Sequence, residues 1–493
     1  GVFSFQRFIW HIFNEIGHGS RETLSESGQV MLLHKIMNDM KPGFKYYQDS
    51  SQYIKFSKKV LDMLKEFRTY QVTADDIGLV TSEKERYQDK LYDLTHIYKY
   101  WLEQIELHNI EDLNIINTFM DVLDLHPDVK SLKDAVIYID GFHNFTESEF
   151  QLIARLSKRV KTINVLLTHK GENKTLFRKT DASIERLQEL LGSAVKIVHF
   201  EDQFRRSGKM GLIQLEEYFS DNRPMTLYDG IKITESPNII DEVTNVAREI
   251  ERLTADGDVN YNDIGILYRD QGYIQHIHSI FRRFDISYHV DCKVPMYSHP
   301  FIRFIVAVLE CYMRKFDFTA LMDVLKTEYL TDDTERDFIF QFENFALERG
   351  LTRSALFKDE LFTVRKIRSA EGQIIEKDVT EEVRDLLDFK NKVLTQLSDL
   401  FNRFDEAATV KEYITIIHGF ITEHGIDARI EAEIGHLEEM DAIIKRDETE
   451  QAYNQFIRLM DDAYIVFKED AVTFDIFYET FKDGLLNAEF NLL

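Results

Sequence analysis

The stretch from Ala135 to Thr146 leaves the chain few ways to fold. Ala135 to Ile139 is a short apolar run rich in β-branched residues, ending on Asp140 and then Gly141. Thr146-Glu147-Ser148-Glu149 follows and has the form of a capping box. In that motif the threonine hydroxyl accepts from the third helical N–H and the glutamate reaches back. The local order is therefore buried strand, tight turn, helix. An acid at the carboxyl end of a central strand lies where open α/β sheets bind ligands. In nucleotide-driven motors this is the seat of the acid that holds magnesium.

The pattern continues on either side. Glu147–Arg159 reads as a helix, Thr162–Thr168 as a second strand, Ala182–Leu191 as a helix and Val195–Phe200 as a strand, with a helix at Leu212–Phe219. After the turn at Asp221–Pro224 a second unit reads strand Ile231–Glu235, helix Ile239–Leu253, strand Ile264–Tyr268, helix Tyr273–Arg283 and strand Ile286–Val290. Strands alternating with helices predict a parallel sheet with right-handed crossovers. Pro300 fits the first turn of a helix from Ser298 to about Arg314. Residues 18–130, and the chain from about Arg314 to about Leu486, read as helices with polar and acidic faces.

At the start, Phe5, Phe8, Ile9, Ile12, Phe13 and Ile16 share one face of a helix over 5–16, with Ser4 as N-cap and Gly17 as C-cap. Its other face carries Arg7, Trp10, His11 and Asn14. Trp and Arg planes are what single-stranded bases stack on. Trp10 either serves that purpose or packs under a neighbouring domain.

At 493 residues the chain is long enough for two to four domains. No run of ~18 uncharged apolar residues is present, so no membrane span is expected. Cys292 and Cys311 are the only cysteines, which fits a reducing cytoplasm and gives no thiolate cluster. The net charge of −26 disfavours a broad grip on duplex DNA and confines any nucleic-acid contact to a local surface or a shared one.

This arrangement resembles the superfamily-one helicases of the UvrD/Rep type. More closely, the chain is similar to the AddB (RexB) subunits of bacterial AddAB helicase–nucleases, Gram-positive type. The resemblance is carried by Phe3-Ser4-Phe5-Gln6-Arg7-Phe8-Ile9-Trp10, Tyr138-Ile139-Asp140-Gly141-Phe142-His143-Asn144-Phe145 and Leu176-Phe177-Arg178-Lys179. Asp263-Ile264-Gly265-Ile266-Leu267-Tyr268-Arg269-Asp270, Leu325-Lys326-Thr327 and Glu343–Gly350 continue it in the family's order. It implies a helix-dominated α/β fold: a UvrD-like core of two RecA-like parallel-sheet lobes, here incomplete, with two large helical insertions. The expected division is 1–17 for the start of the first lobe, 18–130 for its insertion and 131–228 for its remainder. Residues 229–315 would be part of the second lobe and 316–493 its insertion.

The resemblance also implies work on DNA ends in a heterodimer with an AddA-type helicase–nuclease subunit. The AddB part scans the emerging single strand for the recombination hotspot Chi. Gln6, Arg7 and Trp10 lie in the segment the family uses for that contact, and Phe5 matches a family aromatic although its helical phase places it with the core. Phe142 and Phe145 offer further stacking planes or pack under the turn. Asp140 and Arg269 fall at nucleotide-site positions, and both read as degenerate. Gly141 stands where an active motor has its water-polarising glutamate, Thr168–Asn173 does not match the next motif, and no G-x-x-x-x-G-K-[ST] occurs. The family's ATP with magnesium, its nuclease-site divalent metal and its iron–sulfur cluster are therefore expected outside this stretch, which reads as an internal part of such a subunit. No catalytic or metal-ligating residue is expected here. Arg205, Arg206 and Lys209, and Arg365, Lys366 and Arg368, are small basic clusters, either phosphate contacts or solvated faces. A second reading makes the chain a scaffold whose helical blocks dock the motor partner around a vestigial α/β core.

Overall fold

The computed structural model describes all residues except 20, 170–175, 201–209, 222, 227–229, 256, 291–292, 333, 369–373, 469 and 492–493. Helix α1 (Phe5–Ile16) is followed by α2 (Glu26–Met40), α3 (Ile54–Thr69), α4 (Ala74–Leu79), α5 (Glu85–Leu107) and α6 (Ile115–Leu125). Next come β1 (Val136–Ile139), α7 (Glu147–Leu156), β2 (Thr162–Val165), α8 (Arg178–Leu191), α9 (Met210–Asp221), α10 (Ile239–Thr254) and α11 (Gly272–Arg283). After β3 (Lys293–Pro295) the chain forms α12 (Pro300–Met313), α13 (Phe318–Leu325), α14 (Arg336–Arg349) and α15 (Glu360–Thr363). It ends with β4 (Val364–Arg368), β5 (Ile374–Asp378), α16 (Arg384–Glu406), α17 (Val410–Glu423), α18 (Ile426–Glu439), α19 (Ile443–Phe467), α20 (Phe474–Leu486) and β6 (Glu489–Asn491).

These elements form two compact units, each built from two separated pieces of chain. The first takes Gly1–His18 and Ile116–Cys292, the second Gly19–Ile115 and Lys293–Leu493. The α/β unit therefore also contains α1. Ser4 accepts from the Arg7 N–H at 3.3 Å, and Gly17 closes the helix in the left-handed region. Phe8 and Phe13 meet Phe119 of α6 edge-on, and the Ser131 N–H donates to Glu15 at 3.0 Å. β1 and β2 pair in parallel from Val136↔Thr162 to Ile139↔Val165. The Thr146–Glu149 capping box starts α7 as its sequence predicts. Behind the strands, Ile139, Phe145, Phe150, Ile153 and Leu187 form one core. Arg186 of α8 ties the helices together, donating from Nε to Glu147 at 3.1 Å and from Nη1 to Glu189 at 2.9 Å. A second small core joins Val243, Ala247 and Ile250 of α10 to Ile277, Ile280 and Phe281 of α11.

The expected strands at Val195–Phe200, Ile231–Glu235, Ile264–Tyr268 and Ile286–Val290 are corrected: all four segments are described, and none lies in a β-ladder. An apolar run gives a segment the tendency to be a buried strand, but the ladder needs a neighbour for its N–H and C=O groups. Among the described residues none of the four completes such a ladder, and Phe200, Ile233 and Leu267 leave their side chains 90%, 92% and 102% exposed. Two pairings were not expected, and β4 and β5 fall where helix alone was. β4 and β5 form an antiparallel hairpin, and β3 pairs with the distant β6.

The second unit is helical, and its two pieces share a single core. α2 is buried nearly all round, with Val30, Met31, Leu32, Leu33, Ile36 and Met37 all in that core. A helix apolar on every side belongs inside a protein. α12 is similar, from Phe301 to Cys311. With α12 buried in it, the second piece of this unit begins at Lys293, ahead of the 315/316 division expected from the sequence. At the start of α2 the Ser25 N–H donates to Asp462 of α19 at 3.2 Å, and the Ser25 hydroxyl donates to the same carboxylate. A Cβ on Gly28 would lie 2.7 Å from Asp462 Cγ, so α2 and α19 meet this closely because residue 28 has no side chain. Among the described residues no helix is long and apolar enough to cross a membrane.

Two consequences are measurable. Gly28→Ala must push Asp462 off Ser25 or separate the helices. Chemical denaturation should show a loss of about 1–3 kcal/mol, as overpacking costs, and a variant as stable as wild type would refute the close-approach argument. The second concerns His34, which is buried with Nδ1 3.0 Å from Ser57 Oγ and Nε2 3.1 Å from the Asn38 amide nitrogen. Burial pushes its imidazole down to about 4, and His299 is pushed down to about 4 by the same cause. Between the unfolded value of 6.5 and about 4 the unfolded chain holds the extra proton. Stability from His34 is thus complete above pH 6.5 and drains away as pH falls, by about 3 kcal/mol in all. Unfolding curves from pH 7 to pH 4 should flatten in His34→Gln relative to wild type.

Candidate functional site

The exposed face of α1 is laid out by phase. Ile9, Ile12 and Phe13 are buried, which turns Gln6, Arg7, His11 and Asn14 to solvent. Arg7 has no carboxylate within 4.0 Å among the described residues. Trp10 is half-buried at the edge of this face, its ring edge-on to Phe13 at 5.6 Å and 83°. Phe3, ahead of the cap, lies stacked on His11 at 5.2 Å and 21° and is 46% exposed. Sequence reading did not single out that pair. Its signal is an aromatic just before the N-cap and a histidine on the polar face. The result is a short strip with a cation, an amide, an indole and an exposed ring pair, on a helix held by its apolar side. Such a strip can stack bases and neutralise a phosphate.

Phe5 is half-buried, with its ring 5.3 Å from that of Phe142. Phe142 in turn stacks on Phe145 at 5.2 Å and 29°, and Phe145 meets Phe150 edge-on at 5.5 Å. These four rings form one row running from the lobe's edge into its core. Phe145, at 6% exposure, is a core residue, and its expected role as a stacking plane is corrected. The turn at Gly141 aims it inward. Phe5 and Phe142 belong with it on the core side and keep only partial ring area free.

At the turn itself, Asp140 is exposed and its Oδ1 accepts the Gly141 N–H at 2.8 Å. Gly141 has φ +86°, with nothing within 4 Å of where a Cβ would stand. Backbone conformation, not crowding, therefore requires glycine. A glutamate there would be strained in the left-handed region, so this turn cannot present a water-polarising carboxylate after Asp140 without changing shape. Arg269 is exposed in an unpaired segment. His169 is bonded to Asp181 at 2.8 Å, and residues 170–173 of the poorly matching motif lie outside the described residues. Asp140 and Arg269, expected at nucleotide-site positions, are both exposed to water.

Among the described residues no three His, Cys, Asp or Glu side chains converge on a metal site. Cys292 lies outside the described residues; Cys311 is buried and its thiol is pushed up to about 12 by that burial. Cluster ligation needs thiolates and commonly four of them, so these cysteines do not fit an iron–sulfur cluster. Arg205, Arg206 and Lys209 lie outside the described residues, as do the side chains of Lys366 and Arg368; Arg365 is 3.5 Å from Glu348.

Known proteins share this pattern. A model of the ADDB N-terminal region matches residues 1–216, and a model of the UvrD-like helicase C-terminal domain matches residues 188–473. A protein of Staphylococcus haemolyticus (strain JCSC1435), named as an ATP-dependent helicase/deoxyribonuclease subunit, is 30% identical over 511 residues, 100% of this chain and 43% of that protein. Its namesakes from Staphylococcus carnosus (strain TM300) and Staphylococcus aureus (strain MRSA252) are 28% and 29% identical over 100% of the chain and 44% and 43% of their own length. The chain thus spans less than half the length of these relatives.

Placing Phe145 in the core has a testable cost. Phe145→Ala should destabilise the protein by about 3–5 kcal/mol, read as a shifted unfolding midpoint, whereas Gln6→Ala should leave the midpoint unmoved.

Proposed function

The chain belongs to the UvrD-like helicase family, in its AddB line, and from that premise we propose that it is the strand-reading part of a DNA end-processing helicase–nuclease. In this reading it binds single-stranded DNA along the exposed face of α1, recognises the Chi hotspot there, and does not itself turn over ATP. The observation that carries the reading is the α1 strip: Gln6 and Arg7 exposed, Trp10 at its edge, and a buried face that holds them in place. Stacking contributes ~1–3 kcal/mol per base and needs no broad positive field. That suits a chain with a net charge of −26.

Motor inactivity rests on the turn after β1, where Gly141 holds a backbone shape that a glutamate resists. ATP with magnesium, a nuclease-site metal and an iron–sulfur cluster are assigned to chain beyond these residues or to the partner. The partner is an AddA-type subunit, and the setting is the cytoplasm. One observation favours the second reading, a scaffold that docks the motor subunit: Met440, Ile443 and Ile444 stand exposed together at the α18–α19 corner. Both readings can hold on different surfaces.

The test is equilibrium binding of labelled single strands, with and without a hotspot sequence, at fixed salt. The Arg7→Ala/Trp10→Ala variant should bind about 30-fold more weakly, the equivalent of about 2 kcal/mol, and should lose any preference between the two strands. Wild-type affinity and preference in that variant would sink the strand-reading role. Hydrolysis of ATP by this chain in the presence of single-stranded DNA would sink the inactive-motor part.

A further inference from the structure

A second surface also gathers cations, and it lies on the helical unit, where the start of α5 meets the loop after α2. Lys45 Nζ is 3.8 Å from the centre of the Tyr92 ring. Lys90 Nζ is 4.6 Å from the centre of Tyr46 and 5.5 Å from that of Tyr87, and Lys84 Nζ is 5.7 Å from Tyr87. The Arg86 guanidinium lies 5.1 Å from the Tyr46 ring and donates from Nε and Nη2 to its hydroxyl at 3.1 and 2.6 Å. Tyr87 and Tyr92 remain 52% and 39% exposed.

Two features set this surface apart. None of Lys45, Lys84, Arg86 and Lys90 has a carboxylate within 4.0 Å among the described residues, although bases nearby on the same unit are paired, Lys99 with Asp75 and Arg68 with Asp112. The acids on the same turns, Glu85 and Asp89, are sequence neighbours of Arg86 and Lys90 and so project about 100° away round the helix. The surface is also built. Asp93, fully buried, accepts the N–H groups of Lys45, Tyr46 and Tyr47 at 2.9, 2.8 and 2.9 Å. A buried carboxylate is costly unless its lone pairs are filled, and here they are filled by the backbone of one surface loop. That fixes Lys45 and Tyr46 beside Arg86 and Lys90.

We infer that this cation–tyrosine surface is a polynucleotide contact separate from α1. The four bases neutralise phosphates, and the exposed tyrosine area lies against sugars and bases. An ammonium resting on a ring has no counter-charge to cancel it, whereas one paired to a carboxylate does. Cations interleaved with aromatic rings match the phosphate-and-base repeat of a nucleic acid better than the charge alone of an acidic protein. Lys84 to Lys90 spans about 9 Å along the helix, the length of two or three phosphates at ~3.4 Å each along one strand. The inference rests on the reading above that the chain handles DNA.

Binding of the 493-residue chain to an oligo-dT strand and to a duplex of equal length, measured across a salt series, tests it. Lys45→Gln/Arg86→Gln/Lys90→Gln should weaken binding to at least one probe about tenfold. It should also make the log–log salt dependence shallower by about 2, three phosphates at ~0.7 each. The probe that responds identifies single strand or duplex. Lys99→Gln, a paired base on the same helix, should change neither quantity, and the thermal midpoint of the triple variant should stay at the wild-type value. The inference is overturned if the triple variant keeps wild-type affinity and slope on both probes while Arg7→Ala/Trp10→Ala loses binding, an outcome that leaves the α1 reading intact. It is equally overturned if polyglutamate displaces the probes as well as unlabelled DNA does. Failure of the wild type to bind either probe would overturn both readings.

Discussion

The meeting of Ser25 and Gly28 with Asp462 is the contact on which the rest of the helical unit depends. Asp462 is 2% exposed, and burial raises its carboxyl pKa against the opposing pull of the two Ser25 hydrogen bonds. A buried carboxylate is tolerated only when donors replace its water. Ser25 supplies two, and the same hydroxyl accepts the Gly28 N–H to cap α2. The missing side chain at Gly28 then lets α2 approach α19 closely enough to share its core. The same economy recurs close by, where a Cβ on Gly484 of α20, whose carbonyl accepts from the Ser27 hydroxyl at 3.5 Å, would stand 2.6 Å from Leu459. Through the contacts of Ser25, Ser27 and Gly28 with Asp462 and Gly484, two pieces of chain separated by the whole α/β chain become one body.

Against that frame, α1 is small and dependent. It has one good buried face, and Phe119 of α6 fills the space against Phe8 and Phe13. What it offers outward follows from what it buries inward. The acidic chain around it offers little long-range attraction, so a strand lying on α1 must be held by stacking and a few direct hydrogen bonds. Under the proposed strand-reading role, affinity would depend on which bases meet Trp10 and Gln6, which suits the reading of sequence better than an indiscriminate grip. Gly141 has a positive φ, and beyond it Phe142 and Phe145 stack, with Phe145 in the lobe's core.

Local signals were legible in the sequence. The Ser4 and Gly17 caps, the Thr146–Glu149 box and the phase of α1 are fixed within a few residues, and all appear as the residues predict. Pro300 begins α12 as expected. What did not read correctly depends on distant chain. Ile231–Glu235 and Ile264–Tyr268 have strand composition but no partner to complete a ladder, while β3 finds its partner at β6. Phe145 looks identical to Phe142 in the sequence, and only the direction of the Gly141 turn separates a core ring from a half-buried one. The Asp93 anchor was hidden for the same reason. Nothing in a helix repeat marks one aspartate as the acceptor for a loop more than 40 residues earlier.

The Ser25–Asp462 contact closes over 437 residues of sequence, which has a consequence for synthesis. At about 5–20 residues per second, a ribosome needs roughly 20–90 s to travel between them. For that time α2 has emerged with apolar residues on every side and no α19 to cover them. Nascent chains in that state are prone to aggregation and are the ordinary clients of chaperones. The helical unit is thus completed only late in translation, with the intervening α/β chain already made, and its yield in a cell should depend on what shelters α2 during the wait.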